Sequence, residues 1–464
     1  MDLCVAERIA PSLPTSRPRV AGGSPGPTPG RARRQGLCPV RLPLSGLALV
    51  LAGLAGCGDG ERYGAEEPVV TDSAGVTVVT HPESVLAAEA PFRLASDPAV
   101  RIGMLDGPDE VRFTRIVGAA PLADGSIAVL EGADREIRVF DSEGHFQRRI
   151  GGPGDGPGEF RLPQALQRLP GDTLLVWDSG ASRLSWFDVE GELVRDEQVD
   201  TGELGRISTV HAMGDGTVTL VVVDRARDAV DSPDDGLRRR ESVLVQWDGS
   251  DGELREWAEV AGAETLVSVE SSSDGMMRIS MGQPWYGASL LTSGSGERLW
   301  WADGTRWEFK AWSPALGTVE MVVRIDAPLE PFDAAFIREL EDGELEAADD
   351  ESRRDAVRQR HQATEYPEWV PPFRRLVAGS DGRVWLGLTQ TPPVRLPGGA
   401  GPELWNWLVL DPEGTVLGRV TLPPRTRLLH AGAHDLLLVR FDELDLPYLE
   451  RFRLDTRGDP GPET

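Results

Sequence analysis

Short runs of alternating apolar and polar residues, each introduced by a glycine-containing turn, recur along most of this chain. The first copy spans 123–129, where Asp124-Gly125 precedes an apolar strand-like run. Asp-Gly favours the positive φ of a tight hairpin turn, and a period of two predicts a half-buried β-strand. The other copies lie at 171–177, 215–220, 274–279, 381–386 and, in degenerate form, 433–439.

A second turn occurs within several of these repeats, where an apolar strand ends at an Asp-x-x-Gly sequence. It is found at 139–146, 186–193 and 409–416, with a longer version at 247–254. Two hairpins per repeat predict a four-stranded antiparallel unit. The units recur about every 40–60 residues, a spacing typical of propeller blades.

The repeats therefore predict an all-β fold, a six-bladed β-propeller of four-stranded antiparallel blades, over residues 69–455. This pattern resembles bacterial six-bladed β-propeller lipoproteins, relatives of the NHL-repeat group. Most of the resemblance lies in 115–200, including the linker 151–160. A β-sandwich with added hairpins is the alternative fold. We expect the alternating segment 75–80 to join the last blade and close the ring, which would remove an open sheet edge.

One region departs from the strand pattern. Residues 331–363 are rich in Ala, Glu, Asp and Arg, and Phe332, Phe336 and Leu340 recur at helical spacing. We predict a helical insertion, 331–366, between blades 4 and 5. Such an insertion either packs one face on its own domain or covers the mouth of the propeller as a lid.

The N-terminal region has the order of a secretory signal. Basic residues precede a short apolar run that ends in small residues and Cys57. The sequence 54–57 resembles the bacterial lipobox, which implies cleavage before Cys57 and its lipidation. We therefore predict a leader and signal peptide over 1–56, the lipidated cysteine and a tether over 57–68, and a disordered tail over 456–464.

The formal net charge of the whole chain is −27, whereas residues 1–56 hold seven arginines and two acidic residues. The predicted mature protein is therefore strongly acidic, which argues against nucleic-acid binding because each phosphate contact needs a Lys or Arg. We expect a monomer that meets the membrane only through its N-terminal lipid. It would face the periplasm or the cell exterior.

Glycines are dense in the linker 151–160, but the sequence lacks the Gly-Lys-Ser/Thr ending of a phosphate-binding loop. A crossover between blades that needs positive φ explains them better. The histidines are few, and we expect them to be structural. His430 and His434 are four apart but flank a predicted turn, which weakens a zinc interpretation, and His211 lies on a strand that can face the central channel.

No nucleophile elbow of the Gly-x-Ser-x-Gly type is present, and no catalytic residue is predicted. Resemblance to gluconolactonase-like propellers would imply a central calcium held by Asp, Asn and Glu. Asn406 is the only asparagine, which argues against copying that site. Acidic residues near blade starts, such as Glu131, Asp178 and Asp224, could supply oxygen ligands. We predict no metal site, with calcium as the alternative.

Tryptophans are numerous in the second half of the chain. They could stack a planar ligand in the propeller mouth, although packing between blades is the better explanation for most of them. The candidates are Trp285, Tyr286, Trp300, Trp301, Trp307, Trp312, Trp405 and Trp407.

The leading functional interpretation is non-catalytic binding of a protein, peptide or glycan partner at the cell envelope. The alternative is a calcium-dependent hydrolase, lactonase-like or esterase-like, with its site in the central channel. A third interpretation is a scaffold without a ligand. Acidic side chains converging on the channel axis would favour the hydrolase, whereas an apolar or arginine-lined mouth would favour binding.

Overall fold

The computed structural model describes residues 67–213, 218–224, 236–248, 253–271, 277–282, 286–348, 350–364, 366–390, 396–397 and 402–456. They belong to one compact unit, Tyr63–Thr464. The predicted lipidation site Cys57, the leader and the tail after 456 lie outside the described residues. Within the described part of the chain, no helix is both long and apolar enough to cross a membrane.

Six antiparallel sheets form the body of the protein, and each is a blade. Blade 1 contains Ile116–Pro121, Ile127–Glu131, Glu136–Phe140 and Phe146–Ile150; blade 2 contains Pro163–Arg168, Leu174–Asp178, Arg183–Phe187 and Leu193–Gln198; blade 3 contains Arg206–Met213, Val218–Asp224, Gly236–Asp248, Leu254–Ser271 and Met277–Gly282. Blade 4 contains Leu291–Ser295, Arg298–Ala302, Glu308–Ser313 and Thr318–Asp326; blade 5 contains Phe373–Ala378, Val384–Leu388, Asn406–Leu410 and Val416–Thr421; blade 6 contains Thr426–Ala431, Asp435–Phe441 and Pro447–Thr456.

The first strand of each blade, its inner strand, contacts the inner strand of the next blade. The inner strand of blade 6 contacts that of blade 1, so the six strands form a closed ring around a central channel. The prediction of an all-β, six-bladed propeller is thereby confirmed.

The ring is closed by a different segment from the one predicted. Phe92–Leu94 and Val100–Ile102 pair antiparallel with Pro447–Thr456 and complete blade 6. The segment 75–80 lies in Val76–Pro82, which pairs in parallel with Thr318–Asp326 at the outer edge of blade 4. The expectation that it closes the ring is therefore wrong.

The N-terminal hairpin formed by Val69–Ser73 and Val76–Pro82 starts a segment that follows the outer rim of the ring. Beyond its contact with blade 4, this N-terminal segment runs along the outer strand of blade 5, where the amide of Ala90 donates to the carbonyl of Arg419. Gly418 permits this approach, because a Cβ there would lie 2.4 Å from the carbonyl carbon of Glu89.

The fourth repeat was assigned to the wrong blade by the sequence pattern. The strand within 274–279 is Met277–Gly282, a fifth strand at the edge of blade 3. Blade 4 instead begins at Leu291, and its first hairpin turns at Gly296, which has φ of +57°. The number of blades is still six. The Asp-Gly turn at 274–275 leads into an extra strand of blade 3, and the first hairpin of blade 4 has no Asp-Gly turn, so the two errors cancel in the count.

Apolar side chains fill the space between each pair of neighbouring blades. Between blades 2 and 3, Trp186 stacks on Trp247 with ring centroids 6.1 Å apart, and between blades 3 and 4, Trp257 stacks on Trp312 at 4.4 Å. Burying one such side chain contributes about 1.5–3 kcal/mol relative to exposure. Apolar packing therefore holds neighbouring blades together.

Polar contacts also join neighbouring inner strands across the seams between blades. His211 Nε2 lies 2.8 Å from Thr292 Oγ1 between blades 3 and 4, and the amide of Ala378 donates to Ser293 Oγ at 2.8 Å between blades 4 and 5. Arg427 spans the seam between blades 6 and 1 by donating from Nη2 to the carbonyl of Ile116. These contacts hold the inner strands of neighbouring blades in register with one another.

Two α-helices, α1 (Ala334–Ala347) and α2 (Glu351–Ala363), lie between blades 4 and 5 as predicted. Each begins at an aspartate whose carboxylate accepts from backbone amides, Asp333 for α1 and Asp350 for α2. The apolar face of α1 packs against Tyr286. Four short 3-10 helices complete the described elements: Glu83–Ala87, Asp109–Val111, Pro170–Asp172 and Gly202–Leu204.

Candidate functional site

The inner strands all begin at one end of the channel, called here the upper end. The antiparallel register places the loops between second and third strands at this end as well, since Ile116 pairs with Glu131 and Thr426 with Arg440. Three arginines lie here on consecutive blades of the ring: Arg375 of blade 5, Arg427 of blade 6 and Arg115 of blade 1. We call these three residues the arginine cluster.

Backbone irregularities help to position the cluster. The ladder of blade 5 shifts register between Phe373 and Arg375, and that of blade 6 shifts between Leu428 and His430. A β-bulge of this kind bends a strand and redirects its side chains. Arg115 immediately precedes the inner strand of blade 1 and donates from Nη2 to the carbonyl of Gly132 at 3.0 Å.

The three guanidinium groups act on one another electrostatically. Burial, and to a smaller extent the charge of Arg427, lowers the pKa of Arg375 to about 9. Burial, followed by the charge of Arg115, lowers the pKa of Arg427 to about 10. Both values exceed 7, so both groups are cations at neutral pH. Within the described residues, no carboxylate forms an ion pair with Arg375 or Arg427.

Backbone amides donate hydrogen bonds to two acidic side chains at the upper end. Glu131, which is fully buried, accepts from the amide of Arg115 at 2.9 and 3.1 Å and from that of Ala133 at 3.0 Å. Burial raises the pKa of Glu131, and these hydrogen bonds oppose that effect. Asp178 accepts in the same way from Arg161 and Leu162 at 2.6 and 2.8 Å.

The same arrangement recurs in two further blades. Glu264 accepts from the amide of Ala288 at 2.7 Å, just before the inner strand of blade 4. Glu403 accepts from the amide of Arg425 at 2.5 Å, just before the inner strand of blade 6. These carboxylates hold the loops that lead into the inner strands.

The structure therefore assigns Glu131 and Asp178 a positioning role in separate blades and does not bring them together as calcium ligands. The side chain of Asp224 lies outside what the structure describes. In the described ranges, no group of three or more His, Cys, Asp or Glu side chains is arranged to hold a metal ion.

A cavity of about 210 Å³ with both polar and apolar lining opens at the same end, next to Thr114, which precedes Arg115 in the chain. Its lining includes Met104, Phe113 and Leu446, from the loop that leads into blade 1 and from the loop between the second and third strands of blade 6. Met104 is 58% exposed. Tyr448 also lines the cavity, and the guanidinium of Arg101 lies 4.2 Å from its ring centroid.

His211 and His430, both on inner strands, are neutral at pH 7. Burial lowers the pKa of His211 and of His430 to about 4. His430 Nε2 lies 3.4 Å from Ser380 Oγ, but Asp435 is paired with Arg451 at 2.8 Å, so these residues do not form a catalytic triad. The structure does not join His430 to His434 in a metal site within the described residues.

The glycine-rich linker 151–160 forms the crossover between blades 1 and 2, as predicted. Gly151 and Gly158 have φ of +72° and +74°. The amide of Phe160 donates to the carbonyl of Gly152 at 2.7 Å, and the Phe160 ring packs edge-on against Phe187.

Most of the candidate aromatic residues pack between blades. Trp300, Trp312 and Trp407 are each at most 2% exposed. Trp405 is different because it precedes the strand Asn406–Leu410, is 39% exposed and donates from Nε1 to Glu403. It therefore presents an aromatic surface at the upper end. Trp285 lies outside the described residues.

An arginine-lined mouth is expected of a binding protein, but the residues that form it are not evident from the repeats. Arg115 precedes its strand, Arg427 is the second residue of its strand and Arg375 the third. Aligning the repeats by sequence therefore does not place the three arginines at equivalent positions. They come together only because the closed ring puts blades 5, 6 and 1 side by side.

Three solved structures with similar folds give no information on activity at these identities and scores. A protein of Bacteroides fragilis described as exported has 10% identity and a TM-score of 0.43, with 82% of this chain and 99% of that chain covered. A member of the DUF4221 family from Bacteroides vulgatus has 14% identity and a TM-score of 0.39, with 79% and 99% covered. A calcium-binding protein, regucalcin, from Agrobacterium tumefaciens has 11% identity and a TM-score of 0.34, with 78% and 96% covered.

No curated protein matches the chain at a significant level. Residues 104–204 match the family model of DUF5128, described as a 6-bladed beta-propeller. This segment contains blades 1 and 2, which carried most of the predicted resemblance. Over residues 104–204, the chain thus carries the sequence signature of the DUF5128 six-bladed β-propellers, and its six blades confirm the propeller resemblance inferred from the repeats.

Proposed function

We propose that this protein is a cell-envelope lipoprotein whose propeller binds a protein, peptide or glycan partner at the upper end of its channel without transforming it. The arginine cluster is the observation that carries this proposal. Arg375 and Arg427 are cations at neutral pH, while the nearby carboxylates of Glu131 and Glu403 accept from backbone amides. Arg375 and Arg427 therefore offer positive charge to a partner at this end.

The surroundings of the cluster fit recognition of a partner larger than a single ion. The cavity next to Thr114 offers apolar as well as polar surface, and Trp405 offers an exposed ring. A few polar groups set in apolar surface are typical of ligand sites in proteins. The proposal that the protein is secreted and lipidated at Cys57 is supported by the signal-like sequence 47–57.

The test is binding of the purified protein to arrays of acidic and neutral peptides and of anionic and neutral oligosaccharides. We expect selective retention of a subset of these probes, with retained probes recovered chemically unchanged by mass spectrometry. Arg375→Gln should weaken retention. Arg93→Gln, which removes the same charge from an exposed position at the outer edge of blade 6, should not.

The calcium-dependent hydrolase is the outcome that would overturn this proposal. It predicts that a panel of esters and lactones is consumed in the presence of calcium, and that EDTA abolishes this turnover. Binding of no probe by the folded wild-type protein would also contradict the proposed function.

A further inference from the structure

We propose that the arginine cluster holds an oxyanion, the carboxylate or phosphate group of the bound partner, between the guanidinium groups of Arg375 and Arg427. This inference rests on the proposed function, because it names the chemistry by which the upper end recognises its partner. It adds a site and a class of ligand that the fold alone does not imply.

The buried arginine Arg138 is supplied with carboxylates, whereas the half-buried Arg375 and Arg427 are not, among the residues that the structure describes. Arg138 of blade 1 is 1% exposed and pairs with Glu136 at 2.7 Å and with Asp134. A buried cation normally needs such a partner, because removing it from water without one is costly. Arg375 and Arg427 have only other arginines acting on their charges within the described residues.

Arg427 also has an unsatisfied donor. Its Nη2 donates to the carbonyl of Ile116, whereas its Nε is buried and has no hydrogen-bond partner within the described part of the chain. An unsatisfied buried donor costs about 1–3 kcal/mol. An oxyanion between the two guanidinium groups would satisfy this donor and offset the repulsion between the cations.

Arginine suits this chemistry because its planar fork of N–H donors matches the two oxygens of a carboxylate or phosphate. The hydrogen bond to Ile116 fixes the Arg427 guanidinium before a ligand arrives. A fixed donor loses less conformational entropy on binding, which strengthens the interaction. The protein as a whole has a formal charge of −27, so the cluster is a local positive site on an acidic molecule.

Calorimetric titration of the purified protein with inorganic phosphate and, separately, with citrate tests this site. We expect one of the two anions to bind with a stoichiometry of one per chain. Loss of one charge-assisted contact should weaken its affinity about tenfold in Arg375→Gln, since about 1.4 kcal/mol corresponds to a factor of ten. Arg375→Lys, which keeps the charge and loses the fork, should fall between wild type and Arg375→Gln.

Equal affinity of wild type, Arg375→Gln and the matched control Arg93→Gln for both anions would overturn the inference, as would no binding at all. Tight phosphate binding with weak citrate binding would assign a phosphate group to the partner, and the reverse would assign a carboxylate. Failure here together with retention of a neutral probe on the arrays would refute the oxyanion site alone. Turnover of an ester or lactone would instead refute the proposed function.

Discussion

Arg427 donates a hydrogen bond to the carbonyl oxygen of Ile116 across the seam where the last blade meets the first. The two residues are 311 positions apart in the chain. The same side chain links blades 6 and 1 and, in our proposal, takes part in binding an anion. Arg375 lies on the neighbouring blade and is associated only with binding, so the two arginines should respond differently to substitution.

We predict that Arg375→Met stabilises the ligand-free protein by about 1–3 kcal/mol, because it removes a half-buried charge that is repelled by Arg427. Arg427→Met should be less favourable, since it also removes the hydrogen bond to Ile116. Chemical denaturation in a buffer without phosphate or carboxylate measures both. A loss of stability in Arg375→Met as large as that in Arg427→Met would contradict the prediction.

Asp178 should matter for stability and not for calcium binding. Its carboxylate accepts from the amides of Arg161 and Leu162, so Asp178→Asn turns one acceptor into a donor that faces N–H groups. We expect a loss of about 1–3 kcal/mol in the free energy of unfolding. Addition of EDTA to the wild-type protein should leave its melting temperature unchanged. A large fall in melting temperature with EDTA, restored by calcium, would support the hydrolase instead.

His211 should make the protein sensitive to acid. Its pKa is lowered by burial from 6.5 to about 4, so the unfolded state binds a proton in this pH window and the folded state does not. Stability contributed by this group is therefore present above pH 6.5 and is lost as the pH falls toward 4, at about 1.4 kcal/mol per pH unit.

His211→Gln should reduce the slope of unfolding free energy against pH by this amount, measured by denaturant titrations between pH 4.5 and 7. His145→Gln is the matched control, because the side chain of His145 is 70% exposed. An unchanged slope in His211→Gln, or an equal change in both variants, would refute the assignment.

Closure of the ring should depend on the segment 92–102, here called the rim segment, whose strands Phe92–Leu94 and Val100–Ile102 pair with Pro447–Thr456. Ile102, which is 2% exposed, packs in the core between blades 6 and 1. Ile102→Ala should cost about 2–5 kcal/mol. Val70→Ala, at a position 60% exposed on the N-terminal hairpin, should change stability by less than about 0.5 kcal/mol. Equal effects of the two substitutions would show that the rim segment does not close the ring.

The propeller could be predicted from sequence because each hairpin carries its own local signal. Asp124-Gly125 turns with Gly125 at φ of +88°, and the run after it is the fully buried strand Ile127–Glu131. Local signals do not identify the blade to which a strand belongs. The strand Met277–Gly282 follows an Asp-Gly sequence but pairs with Leu254–Ser271 as a fifth strand of blade 3.

Pairing between distant strands was not predictable in the same way. Alternation in 75–80 correctly indicated a strand, since Val79 is buried in the core between blades 4 and 5. Its partner is Thr318–Asp326, and the two run in parallel. A period of two reports that one face of a strand is buried and gives no information about which edge it joins.

The candidate site was the least predictable part. Glu131 and Asp178 were sensible oxygen ligands by residue type, but their oxygens accept from backbone amides that only the folded loops place beside them. The arginine cluster was missed because its members occupy different strand positions and meet through ring closure.

The most direct test of the account is anomalous diffraction from crystals of the purified protein soaked in sodium selenate. Selenate is an oxyanion whose selenium can be located independently of the surrounding density. The account predicts a selenium peak at the upper end of the channel, within hydrogen-bonding distance of the guanidinium groups of Arg375 and Arg427. Selenate bound only at exposed arginines, with none between Arg375 and Arg427, would contradict it.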